Sequence, residues 1–144
     1  MTWAAVISVA AVFSWLGMVA GISLLEAPLK FRAPGITLAL GLGIGRLVFA
    51  AMGRAEAVLL AATAACAAWV PGHLAGRAAL LAVLAVILAA QYLLLRPALD
   101  RRAAVTITGG QPPRSTLHLG YIAAECAKLV LLLALGLLLA RGAG

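Results

Sequence analysis

The sequence predicts an all-α integral membrane protein, a bundle of four transmembrane helices that forms a single domain over residues 1–144. Hydrophobic residues make up 65% of the chain and charged residues only 10%. A soluble domain of this size has much surface to cover and typically contains about 25% charged residues. The apolar runs also approach or exceed the ~20 residues that a helix needs to cross the hydrocarbon layer. Because strand-like alternation is missing and Ala and Leu dominate, helices rather than a closed barrel are expected to satisfy the backbone in lipid.

Prolines and charges separate the predicted spans. The first apolar run meets Glu26 and Pro28, which are expected to end its helix, and Arg96-Pro97 ends the third in the same way. The segment 36–53 leaves three alternatives: a continuation of the second helix, a re-entrant or interfacial segment, or a fifth span. We favour four spans, at about residues 2–26, 45–70, 78–96 and 117–140.

A strip of small residues follows one face of the first span. Ser14, Gly17 and Gly21 are spaced at i, i+3 and i+7, and the two glycines form a GxxxG pair. In lipid, such a strip allows two helix backbones to approach closely. We therefore expect the first helix to pack through these three residues.

Basic residues are distributed unequally between the two sides of a four-span chain. Arg77 and Arg141 fall on one side, and eight fall on the other: Lys30, Arg32, Arg46, Arg54, Arg96, Arg101, Arg102 and Arg114. Because cytoplasmic loops carry an excess of Lys and Arg, both termini are expected on the extracytoplasmic side of the cell membrane. The net charge of +7 forms no dense patch, which favours the lipid bilayer as a partner and argues against nucleic acid.

The last span carries the most informative pattern. His118, Tyr121, Glu125 and Lys128 are spaced at i, i+3, i+7 and i+10, which is one stripe of a helix. Ionisable groups deep in a membrane are costly, so Glu125 and Lys128 should face protein, a cavity or each other. Two interpretations stay open, an ion pair that fixes helix packing and a site for a solute or a proton.

A second polar set comprises Glu26, Arg46, Arg54 and Glu56, near the predicted inner side. One interpretation is interfacial anchoring, in which the arginines extend to the membrane surface. The other is a polar cluster with Glu125 at the inner mouth of the bundle, with Arg46 or Arg54 completing the charge pair.

The sequence predicts neither a metal site nor a cofactor. His73 and His118 fall at opposite ends of a hydrocarbon layer of ~30 Å, so one chain cannot supply two axial ligands to a haem. A single axial His118 stays an alternative. Cys66 and Cys126 are expected at different depths, which argues against a disulfide or a four-ligand site. No catalytic constellation is visible, so we do not expect an enzyme.

Two stretches carry a family resemblance. Gly17–Phe31 (GMVAGISLLEAPLKF) and Leu95–Leu129, with LRPALDRR and RSTLHLGYIAAECAKL, resemble small bacterial membrane proteins of the DUF4149 type. That group is similar to the eukaryotic transmembrane protein 205 family. The resemblance implies a four-helix membrane protein without a settled activity, and the association of the eukaryotic relatives with drug resistance suggests export. The positions that it carries over are Pro28, Phe31, Arg96, Pro97 and His118.

Two functions from different classes follow from these patterns. The first is a transport or permeation module for a small solute or ion that works as a homo-oligomer, because four short helices rich in Ala and Gly enclose little volume. The second is a non-catalytic accessory or scaffold subunit, in which the Gly17/Gly21 face binds a partner membrane protein.

Overall fold

The computed structural model describes residues 2–142, and these form four long helices. Each helix is long and apolar enough to cross a membrane. The described residues contain no strand, so the predicted all-α class with four candidate spans is confirmed. This architecture is compatible with a multi-pass membrane protein. The helices are α1 (Trp3–Arg32), α2 (Leu38–Ala67), α3 (Leu74–Ile107) and α4 (Leu117–Gly142).

The helices pack as a square in which α1 and α3 lie on one diagonal. Each of these two helices packs against both α2 and α4. Residues 33–37 and 108–116 connect helices at one end of the bundle, which we call the basic end because most Lys and Arg residues lie near it. Residues 68–73 form the connection at the opposite end. Short connections of this kind favour an antiparallel arrangement of successive helices.

Glycines allow the chain to reverse direction between helices. Gly35, Gly72 and Gly109 have φ values of 80°, 72° and 87°, a left-handed conformation that costs glycine little because it lacks a Cβ. At the start of α2, the Thr37 side chain accepts a hydrogen bond from the Leu40 backbone N–H at 3.2 Å. Such a cap satisfies one of the N–H groups that a helix leaves free at its start.

Two prolines that were expected to end helices lie inside them. A π-helical segment, Gly21–Glu26, precedes Pro28 in α1, and another, Gln91–Leu95, precedes Pro97 in α3. A proline in a regular α-helix removes one hydrogen bond and clashes with the carbonyl four residues earlier. The wider π turn relieves this conflict, since its hydrogen bonds reach back five residues. The expectation that the helices end at these prolines is therefore wrong, and the polar loop expected after Arg96 shortens to residues 108–116.

The segment 36–53 continues the second helix. α2 runs without interruption from Leu38 to Ala67, and Arg46 and Gly53 lie within it. Of the three alternatives that the sequence left open, the continued helix is the one observed.

The first helix packs within the chain through a different face from the one expected. Ser14 and Gly17 are exposed, and a Cβ added at Gly17 or Gly21 would have no neighbour within 4 Å in the described structure. The expected packing through this strip is therefore wrong inside the chain, and its contact with a second chain stays a prediction. α1 buries the face that carries the larger apolar side chains, such as Val12 and Trp15, because burying more apolar area stabilises the bundle more. The buried face consists of Ala5, Ser8, Val12, Trp15 and Val19.

Three layers follow one another along the bundle axis. The half near the opposite end is a packed apolar core, formed by Ala5, Val12, Trp15, Val19, Ala67, Val70, Leu84, Leu132, Leu135 and Leu139. A layer of buried polar side chains follows, and a cavity occupies the basic end. The polar layer and the cavity together form the candidate site.

Candidate functional site

A cavity of about 640 Å³ lies between the basic-end segments of all four helices. This volume is within the range of about 300–1,000 Å³ that is typical of small-molecule sites. Apolar side chains form most of its wall, including Leu24, Phe31, Leu42, Phe49, Leu99 and Ile122. The cavity can therefore accept an apolar group.

The charged side chains around this wall form salt bridges with one another. Lys30 Nζ lies 3.3 Å from Glu26 Oε2, one turn earlier on α1. Asp100 on α3 lies 3.6 Å from both Arg46 on α2 and Arg96 on its own helix. The cavity is also lined by Arg102, so its lining holds more cationic than anionic side chains. A ligand with hydrogen-bond acceptors or a negative charge suits this surface.

Arg96 has a fixed position between helices. Its guanidinium carbon lies 5.9 Å from the centre of the Phe49 ring and 5.6 Å from that of Tyr92, distances at which a cation is attracted to an aromatic face. It also donates a hydrogen bond to the Arg46 carbonyl at 3.2 Å. Tyr121 packs edge-on against Phe49, with ring centres 5.6 Å apart. These contacts join α2, α3 and α4 beside the cavity.

The inner end of the cavity is formed by Glu125, which belongs to a buried cluster of three charged groups. Lys128 Nζ lies 2.9 Å from Glu125 Oε1 and 2.5 Å from Glu56 Oε1. Glu56 and Lys128 are 0% exposed and Glu125 is 3% exposed. We call these three residues the carboxyl–lysine cluster. Glu125 and Lys128 are on α4 and Glu56 is on α2, so the cluster joins two helices.

Four neutral side chains complete the hydrogen bonds of the two carboxyl groups. Ser23 donates to Glu125 Oε2 at 2.8 Å, and the Gln91 amide donates to Glu125 Oε1 at 2.7 Å. The Trp15 indole N–H donates to Glu56 Oε1 at 2.9 Å, and the Tyr92 hydroxyl lies 3.1 Å from Glu56 Oε2. Every carboxyl oxygen therefore has a partner, which is the condition for burying such groups.

The π-helical segments place two of these donors. Ser23 lies in the segment of α1 and Gln91 in that of α3, and both reach Glu125 on α4. Widened turns are frequent at functional sites, where they change the direction in which a side chain projects. Both prolines that follow the segments are thereby linked to the geometry around Glu125.

The structure brings together part of the set of candidate residues. Tyr121, Glu125 and Lys128 are buried in the bundle, whereas His118 is exposed at the mouth of the cavity. Their role in binding a solute or a proton stays a prediction.

The second polar set divides into separate groups. Glu56 is a partner of Lys128 deep in the bundle, so the interpretation of this residue as an interfacial anchor is wrong. Arg46 pairs with Asp100 and Arg54 is exposed, so neither completes the pair of Glu125 as expected. Glu26 pairs with Lys30.

Trp15, Ser23, Gln91 and Tyr92 were not among the candidate residues. A usable signal was present for Gln91, since it is the one amide in the apolar run of the third span. A polar side chain within a membrane span indicates a functional or packing site by default. The contacts of Trp15 and Tyr92 depend on residues 41 and 36 positions away in the sequence, and no local pattern reveals them.

Over residues 2–142, no group of three or more His, Cys, Asp or Glu side chains is arranged to hold a metal ion. Cys66 and Cys126 are both free thiols. His73 lies at the opposite end of the bundle from His118. Comparison with protein-family models, with curated proteins and with solved structures found no match to this chain.

Proposed function

We propose that the chain is a transport module for a small solute or ion, which binds in the cavity at the basic end next to Glu125. The observation that carries this proposal is the position of Glu125, which lines the cavity and is also part of the buried carboxyl–lysine cluster. A solute in the cavity would therefore be next to a charge whose partners lie on α1, α3 and α4.

The lining favours an amphipathic solute. Its apolar wall suits a hydrocarbon or aromatic body, and its excess of cationic side chains suits an acceptor or anionic group near the mouth. By the distribution of basic residues, the mouth would face the cytoplasm.

The route beyond Glu125 is closed in a single chain. Val12, Trp15, Leu84 and Leu132 fill the next layer and are all 0% exposed. Transport would therefore require a rearrangement of the helices or a pathway between several copies, and we propose a homo-oligomer in the cell membrane. The basic-end segments of α1 and α3 are the parts that could move, because each follows a π-helical segment and a proline.

Glu125→Gln is expected to reduce solute flux by about 10- to 100-fold. The substitution removes the buried carboxylate charge next to the solute, and losing one hydrogen bond to such a charge costs about 1.5–3 kcal/mol, where each ~1.4 kcal/mol is about tenfold. Flux is measured by screening amphipathic anions, cations and neutral solutes with protein reconstituted in vesicles. Glu26→Gln is the matched control, since it makes the same chemical change in the Lys30 pair and should leave flux unchanged. Equal flux in wild type and Glu125→Gln would refute the proposal, as would no flux above protein-free vesicles for any class of solute.

The alternative, an accessory subunit, is favoured by one observation. Strips of small residues such as Ser14, Gly17 and Gly21 allow close helix contact. Within the described chain, however, no atom lies within 4 Å of a Cβ added at Gly17 or Gly21. Gly17→Leu should not lower the melting temperature of the isolated chain and should dissociate a complex that uses this face. Native-gel size in mild detergent checks this: loss of a hetero-complex supports the subunit, loss of a homo-oligomer supports the transport module, and an unchanged size excludes this face from assembly.

A further inference from the structure

We infer that the carboxyl–lysine cluster binds one proton, which resides on Glu56 Oε2 and exchanges with the cavity through Glu125. Proton binding by the cluster stands on its own geometry. Only the use of this proton to drive a solute rests on the proposed function.

The charge of the cluster indicates that a proton is present. Two carboxylates and one ammonium group leave one negative charge in excess, and all three groups are buried. An uncompensated charge in the interior of a bundle is costly. One proton makes the cluster neutral, as the ion pair of Glu125 with Lys128 beside a neutral Glu56.

Hydrogen-bond partners restrict where this proton can reside. Lys128, the Trp15 indole and the Gln91 amide nitrogen can only donate, and they contact the Oε1 atoms of the two carboxyl groups. Both Oε1 atoms must therefore be acceptors. The Oε2 atoms face the hydroxyls of Ser23 and Tyr92, which can donate or accept. The proton thus belongs on an Oε2 atom.

Tyr92 distinguishes between the two Oε2 atoms. Its hydroxyl carries one hydrogen but lies near two acceptors, Glu56 Oε2 at 3.1 Å and the Phe49 carbonyl oxygen at 3.2 Å. With Glu56 ionised, one of these two contacts has no hydrogen. With the proton on Glu56 Oε2, Glu56 donates to Tyr92 and Tyr92 donates to Phe49, so both bonds form. The geometry therefore places the proton on Glu56.

The groups around Glu56 leave this assignment unchanged. From α1 it faces the neutral Trp15, from α3 it faces Tyr92, and from α4 it faces Lys128 with Glu125 and the neutral Tyr121 beyond. Arg96 stacks on the Tyr92 ring but is engaged by Asp100 and the Arg46 carbonyl. Within residues 2–142, Lys128 is the one cation that forms a salt bridge with Glu56.

Exchange with the cavity would pass through Glu125. Glu56 is 0% exposed and does not line the cavity, whereas Glu125 does. A hydronium ion in the cavity would give its proton to the Glu125 carboxylate. Lys128, which contacts Oε1 of both carboxyl groups, would give one of its N–H protons to an ionised Glu56 as it takes the proton of Glu125, and rotation of the Glu56 carboxyl group would bring that proton to Tyr92. The proton on Glu56 would leave by the reverse steps. Lys128 keeps its charge throughout and contacts both carboxyl groups.

Infrared spectroscopy of the protein in vesicles without solute tests this inference, and the chain suits it because it has only four Asp and Glu side chains. At neutral pH we expect one C=O stretching band of a protonated carboxyl. The band should vanish in Glu56→Gln and persist in Glu26→Gln and Asp100→Asn. Absence of the band from wild type, or its persistence in Glu56→Gln, would overturn the inference.

Tyr92→Phe provides a second test that keeps all the carboxyl groups. Removal of the hydroxyl takes away the acceptor of the Glu56 proton, so the band should move to higher frequency. A band that Tyr92→Phe does not move would contradict the assignment. Because no solute is present, failure of the flux experiment leaves this result intact, and absence of the band leaves the flux result intact.

Discussion

Lys128→Met is expected to lower the free energy of unfolding by about 3–5 kcal/mol, the cost of leaving one member of a buried ion pair without its partner. Lys128 is 0% exposed and contacts two carboxyl groups. Without the ammonium group of Lys128, the bundle must bury the Glu125 carboxylate with hydrogen bonds from Ser23 and Gln91 alone. Otherwise the cluster must take up a second proton. Denaturant titration in detergent measures the loss.

A second substitution should recover part of this stability. In the double variant Lys128→Met/Glu125→Gln no unpaired charge remains, so it should be more stable than Lys128→Met alone. Lys30→Met is the control, because the Glu26 partner of Lys30 is partly exposed and pairs of that kind contribute about 0–1 kcal/mol. If Lys128→Met unfolds at the same denaturant concentration as wild type, the charged cluster does not hold the helices together.

Gly53→Ala is expected to destabilise the protein by about 1–3 kcal/mol, the usual cost of overpacking a core. A Cβ at Gly53 would overlap the Tyr92 ring, and this ring is held between α2 and Arg96. Tyr92 would have to move, and its hydrogen bond to Glu56 would be lost. The same unfolding measurement applies.

Gly43→Ala is the matched control on the same helix. No neighbour lies within 4 Å of a Cβ at that position, so the substitution should stabilise α2 by about 0.5–1 kcal/mol through the better helix propensity of alanine. Opposite signs at the two positions are the expected result. A neutral or stabilising Gly53→Ala would show that Tyr92 does not occupy the position described.

The sequence was sufficient to predict the four helices because each apolar run is long enough to identify by itself. It was insufficient at Pro28 and Pro97, where a proline normally ends a helix and a preceding π turn is invisible to composition. For this reason Asp100 falls between the predicted spans 78–96 and 117–140, although it lies on α3 and pairs with Arg46.

The candidate site was predictable only where its residues share one helix. Glu125 and Lys128 form a local stripe, and their burial follows from their depth in the span. Glu56 contacts Lys128 although the two residues are 72 positions apart in the sequence. Packing of the whole bundle decides which faces of α2 and α4 meet, so a local pattern does not predict this contact. The strip at Gly17 shows the same limit, since small residues indicate a surface that can pack closely without indicating whether the neighbour belongs to the same chain.

The π-helical segments also make the geometry of the cavity depend on the number of residues in the helices. A π turn contains about one residue more than an α turn, so each segment is equivalent to a single-residue insertion in a regular helix. One extra residue rotates the remainder of a helix by about 100°, given about 3.6 residues per turn. The π turn of Gly21–Glu26 absorbs this rotation, so Lys30 and Phe31 point as they would in a regular helix that is one residue shorter. Deleting one residue within the segment would therefore restore a regular helix, keep Lys30 and Phe31 at the cavity and remove the widened turn that holds Ser23.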